Sequence, residues 1–213
     1  MTCVRFHWLT PGSVRSRRSV GRGIIIMSYN LVGFLKCVRD HHHKMVNWPA
    51  VGAVLLPNLG GLANGIYFAG QVRVGGGLQA WYDALDKPRW TPPRRAYAPV
   101  WTALYCAMGC SSYLVVKECG GLTGRAALPL ALYGAQLLLN WAWTPIFFGK
   151  RDFKLAMIDI SLLLATSTAT TVAFWRVSPA AGALLLPYLA WLAGAAALTH
   201  HVWRHNPPGG KRD

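Results

Sequence analysis

The sequence is short of acid. Of 213 residues, 7 are Asp or Glu against 22 Lys or Arg, which leaves a formal charge of +15. It is short of charge of either sign: 14% of residues are charged, where a soluble domain carries roughly 25%. The basic residues fall in short clusters between long uncharged stretches. A soluble nucleic-acid binder gathers them on one folded face, so nucleic acid is not an expected partner. Cysteine is sparse too: five residues, an odd number, with no C-x-x-C spacing. That argues against a disulfide framework and for a reducing or membranous setting. Gly75-Gly76-Gly77 lacks the Lys and Ser/Thr of a phosphate-binding loop and reads as a flexible linker. No nucleophile–base pair and no metal-ligand set stands out, so neither enzymatic activity nor a cofactor is expected. The triplet His41-His42-His43 supplies no closed metal site by itself and reads as a solvated polar run.

What the chain has instead is oil. Hydrophobic residues make up 53%, which excludes intrinsic disorder. A bilayer core about 30 Å thick needs roughly 20 apolar residues of helix. Five stretches reach that length: Trp48–Val72, Ala96–Val116, Ala126–Gly149, Leu155–Trp175 (interrupted only by Asp159) and Val177–Trp203. They leave little for a soluble core, and they lack the polar face of a surface helix. The sequence predicts an all-α membrane protein, a bundle of five transmembrane helices. Pro57, Pro99, Pro129, Pro145 and Pro187 lie inside the spans. A bundle tolerates them because neighbouring helices satisfy the freed carbonyls. Trp48, Trp90, Trp175 and Trp203 sit near span ends, as an aromatic belt at the membrane surface requires.

Charge sets the expected orientation. Arg73–Arg95 is net +3, Lys150–Lys154 net +2 and Arg204–Asp213 net +2, all on one side; Lys117–Arg125 and Arg176 together give +2 on the other. Basic loops stay in the cytosol, which puts the long first loop and the C-terminus there. Residues 1–44 disturb this balance with eight basic residues and one acid. Their Arg/Ser-rich run resembles a transit peptide in composition. The charge count becomes self-consistent if translation begins at Met45. The expected division is therefore a basic extension over 1–44, disordered or untranslated, a five-helix domain over 45–206 and a polar tail over 207–213.

Within the spans, Trp101, Tyr105 and Met108 recur at i, i+4, i+7 and so share one helix face, as do Trp191, Ala195 and Leu198. Asn140 is an amide at membrane depth, flanked by Trp141 and Trp143, and such groups face a bundle interior. Each stripe is compatible with plain core packing or with an apolar, aromatic ligand pocket carrying a few polar anchors. Asp159, the one ionisable group well inside a span, is either a functional group or an interfacial carboxylate near Lys150, Arg151 and Lys154. Gly61-x-x-x-Gly65 and Ala103-x-x-x-Ala107-x-x-x-Ser111 allow close helix approach, within the chain or at a dimer seam. Cys106 and Cys110 share a face at i, i+4 and read as small buried hydrophobes.

Two stretches are specific: WYDALDKPRWTPPRRAYAPVWTALYCAMGCSSYLVVKECGG (81–121) and ALYGAQLLLNWAWTPIFFGKRDF (131–153). With PYLAWLAGAAALTHHVWRHN (187–206), they resemble the translocator protein family, the tryptophan-rich sensory proteins once called peripheral-type benzodiazepine receptors. K-P-x-W-x-P-P followed by P-V-W-x-x-L-Y carries most of the likeness, which runs from about Met45 to Asn206. The resemblance implies a five-helix membrane protein, often a homodimer, in the outer mitochondrial membrane or, for a paralogue of red-cell precursors, in others such as the endoplasmic reticulum. It implies cholesterol, porphyrin and synthetic drug ligands, contact with membrane lipid, and a voltage-dependent anion channel as a partner. By the resemblance Tyr97, Ala98, Val100, Trp101, Leu155, Leu162, Ala195 and Leu198 line the ligand pocket, joined by Tyr105, Asn140, Trp143 and Trp191 from the reading of the spans.

The chain departs from the family pattern at two points. A proposed cholesterol motif at the end of the last span runs Leu/Val, Tyr, Lys/Arg with short gaps. Here Leu198, His200, His201 and Arg204 occupy it, with imidazole where the phenol stands. Leu155 replaces a pocket Trp. Both departures, with the run Leu55–Gly61, lean towards the red-cell paralogue. Three functions follow. The first is a binding and transport protein for cholesterol and porphyrin, its cavity covered by the first loop. The others are a scaffold or regulator of other membrane proteins, and a protein that degrades porphyrin in light through Trp101 and Trp191.

Overall fold

The computed structural model describes residues 48–75 and 77–206, with side chains described over 48–67 and 77–206. The extension over 1–44 and the tail over 207–213 lie outside the described residues. Among those described, every long element is helical. In chain order they are α1 (Trp48–Gly75), α2 (Gly77–Ala84), α3 (Arg94–Cys119), α4 (Ala127–Thr144), α5 (Phe153–Val177) and α6 (Pro179–His205); a 3-10 turn, Gly124–Ala126, precedes α4. Five of these are long. The stretch Trp48–Tyr67 of α1, together with α3, α5 and α6, is long and apolar enough to cross a membrane. The shorter α4 runs on into a π-helical turn, Pro145–Lys150. Its central Gln136 and Asn140 lower its hydropathy, and both are buried. This is the five-helix bundle that the spans predict.

The one departure is at the first loop. Gly75 ends α1 and Gly77 begins a further helix, where the sequence predicts only a flexible loop. The reason is legible: Leu78, Trp81, Tyr82 and Leu85 stand at i, i+3, i+4, i+7, one apolar stripe. All four are half-buried.

The prolines do not stop the helices. Pro57, Pro99 and Pro187 lie inside α1, α3 and α6. Pro145 has no N–H to offer the Trp141 carbonyl four residues earlier, and the Asn64 amide from α1 donates to that carbonyl instead, at 3.0 Å. Close approach requires small residues. A Cβ at Gly109 of α3 would lie 2.4 Å from Val54 Cα and 2.5 Å from the Ala53 carbonyl oxygen, the group that Pro57 leaves free. A Cβ on Gly60 would strike the Trp141 ring, and one on Gly61 the Tyr105 ring. Gly61 and Ser111, whose hydroxyl donates to the Ala181 carbonyl at 2.6 Å, thus spend their smallness on packing within the chain. Cys110 is buried as expected of a small hydrophobe.

The proline–asparagine complement gives a prediction. Asn64→Leu should destabilise the bundle by about 0.5–1.5 kcal/mol. In a Pro145→Ala background, where residue 145 regains an N–H, the same change should cost distinctly less, as a double-mutant cycle of denaturant unfolding in detergent would read.

Candidate functional site

The interior of the bundle holds a chain of polar side chains running from α3 to α5. The Tyr105 hydroxyl donates to Asn140 Oδ1 at 2.6 Å. Asn140 Nδ2 donates to the Tyr188 hydroxyl at 3.2 Å, which donates to Gln136 Oε1 at 2.7 Å. The Ser167 hydroxyl donates to the same oxygen at 3.3 Å. All five residues are buried. In hydrocarbon an unmade hydrogen bond is costly, and the relay lets four helices share the polar groups they bring inside. Gln136 Nε2 ends the relay with no partner among the described residues.

Above the relay lies a group of rings. Trp101 packs on Tyr105 (centroids 5.3 Å apart) and meets Tyr188 edge-on at 6.4 Å and Trp191 at 6.3 Å. Trp191 in turn meets Tyr97 at 5.9 Å. Edge-to-face pairs at this spacing add to area burial. Trp101, Trp191 and Val100 are partly exposed on this cluster, so its rings are not sealed.

A second aromatic group caps the bundle at the end where α3 begins and α6 ends. Trp81 of α2 stacks on Phe153 at 6.0 Å and stands edge-on to Phe147 and Phe148, both at 6.3 Å. The Arg151 guanidinium lies 4.8 Å from its ring centre, a cation–π contact. Trp143 stacks on Phe147 at 4.8 Å, and Ala156, Leu198 and Val202 complete the cluster. Polar ties hold α2 down. Arg94 pairs with Asp83. The Lys87 ammonium donates to the carbonyls of Tyr82, Asp83 and Leu85, closing the C-terminus of α2 as a basic residue does well there. Asn206 takes the Asp86 N–H at 2.9 Å and donates to the Asp86 carbonyl at 3.1 Å. Burial pushes the Tyr82 phenol up and the Lys87 ammonium down. The Gln79 hydrogen bond and the Arg94 charge hold the Asp83 carboxyl below the usual aspartate range.

The residues singled out in sequence divide between these places. Tyr97, Val100, Trp101, Tyr105, Asn140 and Trp191 gather in or beside the inner cluster. Trp143 and Leu198 belong to the cap. Leu155 is half-buried, its N–H capped by Asp152 at 2.9 Å, and Ala195 is half-buried, its carbonyl accepting from Thr199. Ala98 and Leu162 are exposed, Leu162 by 53%. At the end of α6, His200 and Arg204 are exposed, while His201 Nε2 lies 3.9 Å from Asp86 Oδ1 and so faces the cap. Met108 is fully buried core. Asp159 is 6% exposed, on the inward stripe of α5 with Ala156, Ile160 and Leu163, so its side chain faces the other helices. Gln136, Tyr188 and Ser167 join the relay without standing out in the sequence pattern. Only Gln136 carried a signal: an amide four residues before Asn140, on the same helix face.

The fold and this interior define an integral, multi-pass membrane protein with an aromatic, partly polar core beneath a helical cap. The comparisons agree. A family described as the TspO/MBR family matches residues 53–204. The chain is 50% identical over 166 residues to human "Translocator protein", covering 77% of this chain and 95% of that one. It is 40% identical over 143 residues to canine "Translocator protein 2" (62% and 83%), and 40% identical over 131 residues to "Protein CrtK" of Rhodobacter capsulatus (60% and 79%). The chain belongs to the TspO/MBR family. Identity to the human Translocator protein, 50%, exceeds the 36% to human "Translocator protein 2".

The Asp83 pair generates a prediction with a definite sign. The folded carboxyl titrates below its unfolded value, so its contribution is complete above the ordinary value of 3.8 and is lost as pH falls through the lowered one. A spin label at position 80, on an exposed face of α2, should gain mobility as pH falls below about 4. In Asp83→Asn the label should already be mobile at pH 7.

Proposed function

We propose that this chain binds and moves rigid, apolar ligands, cholesterol and porphyrin, held among the rings of α3 and α6 and covered by α2. One observation carries the reading: Tyr97, Trp101, Tyr188 and Trp191 meet over a buried polar relay, the make-up of a small-molecule site that is mostly apolar with a few polar anchors. The ligand-binding role of Tyr97, Val100, Trp101, Tyr105, Asn140 and Trp191 belongs to this proposal, as does a place for Trp143, Leu155 and Leu198 beneath the cap. The relatives' name, Translocator protein, supports transport over catalysis.

The membrane proposed is the outer mitochondrial one, with the cap and C-terminus on the cytosolic side. The contacts Arg151–Trp81 and Asn206–Asp86 bring together the three basic segments that the charge count groups. A homodimer and a voltage-dependent anion channel partner remain proposals from the family likeness.

Sterol photo-crosslinking on purified protein starting at Met45 tests the site. Wild type should be labelled around Trp101 and Trp191. Trp101→Ala should lower labelling several-fold, as the loss of roughly 0.5–1.5 kcal/mol of ring contact with its area implies, and Arg204→Leu should leave it unchanged. Labelling confined to residues 198–204 and abolished by Arg204→Leu would overturn the interior site in favour of an outward-facing one.

A further inference from the structure

Among the described residues one non-glycine residue sits on backbone of positive φ: Arg151, at φ 56° and ψ 28°. This is the left-handed region, where a Cβ crowds the following carbonyl and glycine is the residue that fits. The strain has a definite place in the fold. The π-helical turn Pro145–Lys150 ends there, and Asp152, extended at φ −94° and ψ 94°, follows as the cap of α5. A glycine stands two residues earlier, at Gly149, and not at the position that favours it.

The Arg151 side chain supplies a reason. Its guanidinium lies 4.8 Å from the centre of the Trp81 ring on α2, a cation–π contact. The same indole stacks on Phe153 and stands edge-on to Phe147 and Phe148. The connection from the π-helical turn to the first residue of α5 therefore holds one ring of the cap from four positions. Phe147, Phe148 and Phe153 belong to the apolar cluster beneath the cap. Arg151 is exposed and makes no ion pair among the described residues, so the indole is its partner. A residue persists on strained backbone where its surroundings offset the cost, and such residues gather at clamps and switch regions.

We propose that Arg151 is a positioning residue for the cap: its left-handed backbone aims the guanidinium at Trp81, and that contact sets how often α2 lifts from the bundle. The inference rests on the reading that α2 covers the ligand, and adds the residue that governs the cover. A clamp of this kind holds the cap in the empty and the filled protein alike. It therefore slows entry and exit together and leaves affinity nearly unchanged.

The test follows uptake and release of radiolabelled cholesterol by the detergent-purified chain. Arg151→Gly relieves the backbone and removes the cation. Release should quicken by roughly two- to fivefold, the share of an exposed cation–π contact. Uptake should quicken by a similar factor, affinity should stay within about twofold, and the melting temperature should not fall. Arg151→Ala removes the cation and keeps the strain. It should exchange cholesterol as fast as the glycine variant and melt about 2–4 °C below it. In a Trp81→Leu background, Arg151→Gly should no longer quicken exchange.

A wild-type release rate in Arg151→Gly, or the same acceleration in the Trp81→Leu background, overturns the clamp. So does faster release joined to lost affinity and a lower melting temperature, the mark of a bundle merely weakened. Wild type that takes up no cholesterol overturns the function proposed above and not the clamp. A spin label at position 80, on an exposed face of α2, should in that case still move more freely in Arg151→Gly than in wild type, and equal mobility overturns the clamp.

Discussion

The constraint on which the structure depends is that a polar group in hydrocarbon must find its partner inside the protein. The chain meets it in two ways. Where a proline removes a backbone donor, another helix supplies one: Asn64 reaches across to the Trp141 carbonyl that Pro145 leaves open. Where a helix carries polar side chains inward, they are joined to each other, and Tyr105, Asn140, Tyr188, Gln136 and Ser167 form one relay through four helices. Lipid offers α4, with two amides in its middle, no comparable home, so the relay turns the Gln136–Asn140 face of that helix towards its neighbours.

The aromatic residues are arranged around this relay. Tyr105 and Tyr188 each give a hydroxyl to it and a ring to the cluster that includes Trp101. The polar core therefore sets where the ring face stands, and the ring face is partly open. The cap is a separate unit, built on Trp81, Phe147, Phe148 and Phe153 and tied by Arg94 and Asn206. Its ties are few and lie at the surface, where an ion pair contributes about 0–1 kcal/mol. The bundle beneath is held by deep packing, so the cap is the element that can open at least cost.

Much of this was legible in the residues. The spans, their prolines and the interior place of Asn140 follow from hydropathy and from the cost of a polar group in oil. The stripe of Trp101, Tyr105 and Met108 was legible as a face, and helix geometry could not say that Trp101 meets other rings while Met108 is sealed in the core. Which residue of α6 answers Asn140 was not legible, because Tyr188 sits among apolar neighbours and its partner is 48 residues away. Trp143 reads in sequence like its neighbour Trp141, yet one packs under the cap and the other over Gly60; the π-helical turn after Pro145 changes the local pitch in a way no pattern announces. The helix α2 is hidden in the sequence because three glycines and three prolines around it read as loop, although its apolar spacing is there to be counted.

The central claim is that the ligand lies inside the bundle and that α2 is the door. Asp86 and Asn206 already touch through backbone and side chain, so cysteines at these two positions can be joined by a disulfide in protein starting at Met45. The account predicts that ligand release from the oxidised form is slower than from the reduced form by tenfold or more, a barrier change of about 1.4 kcal/mol. Equal release rates with the disulfide closed and open would contradict it.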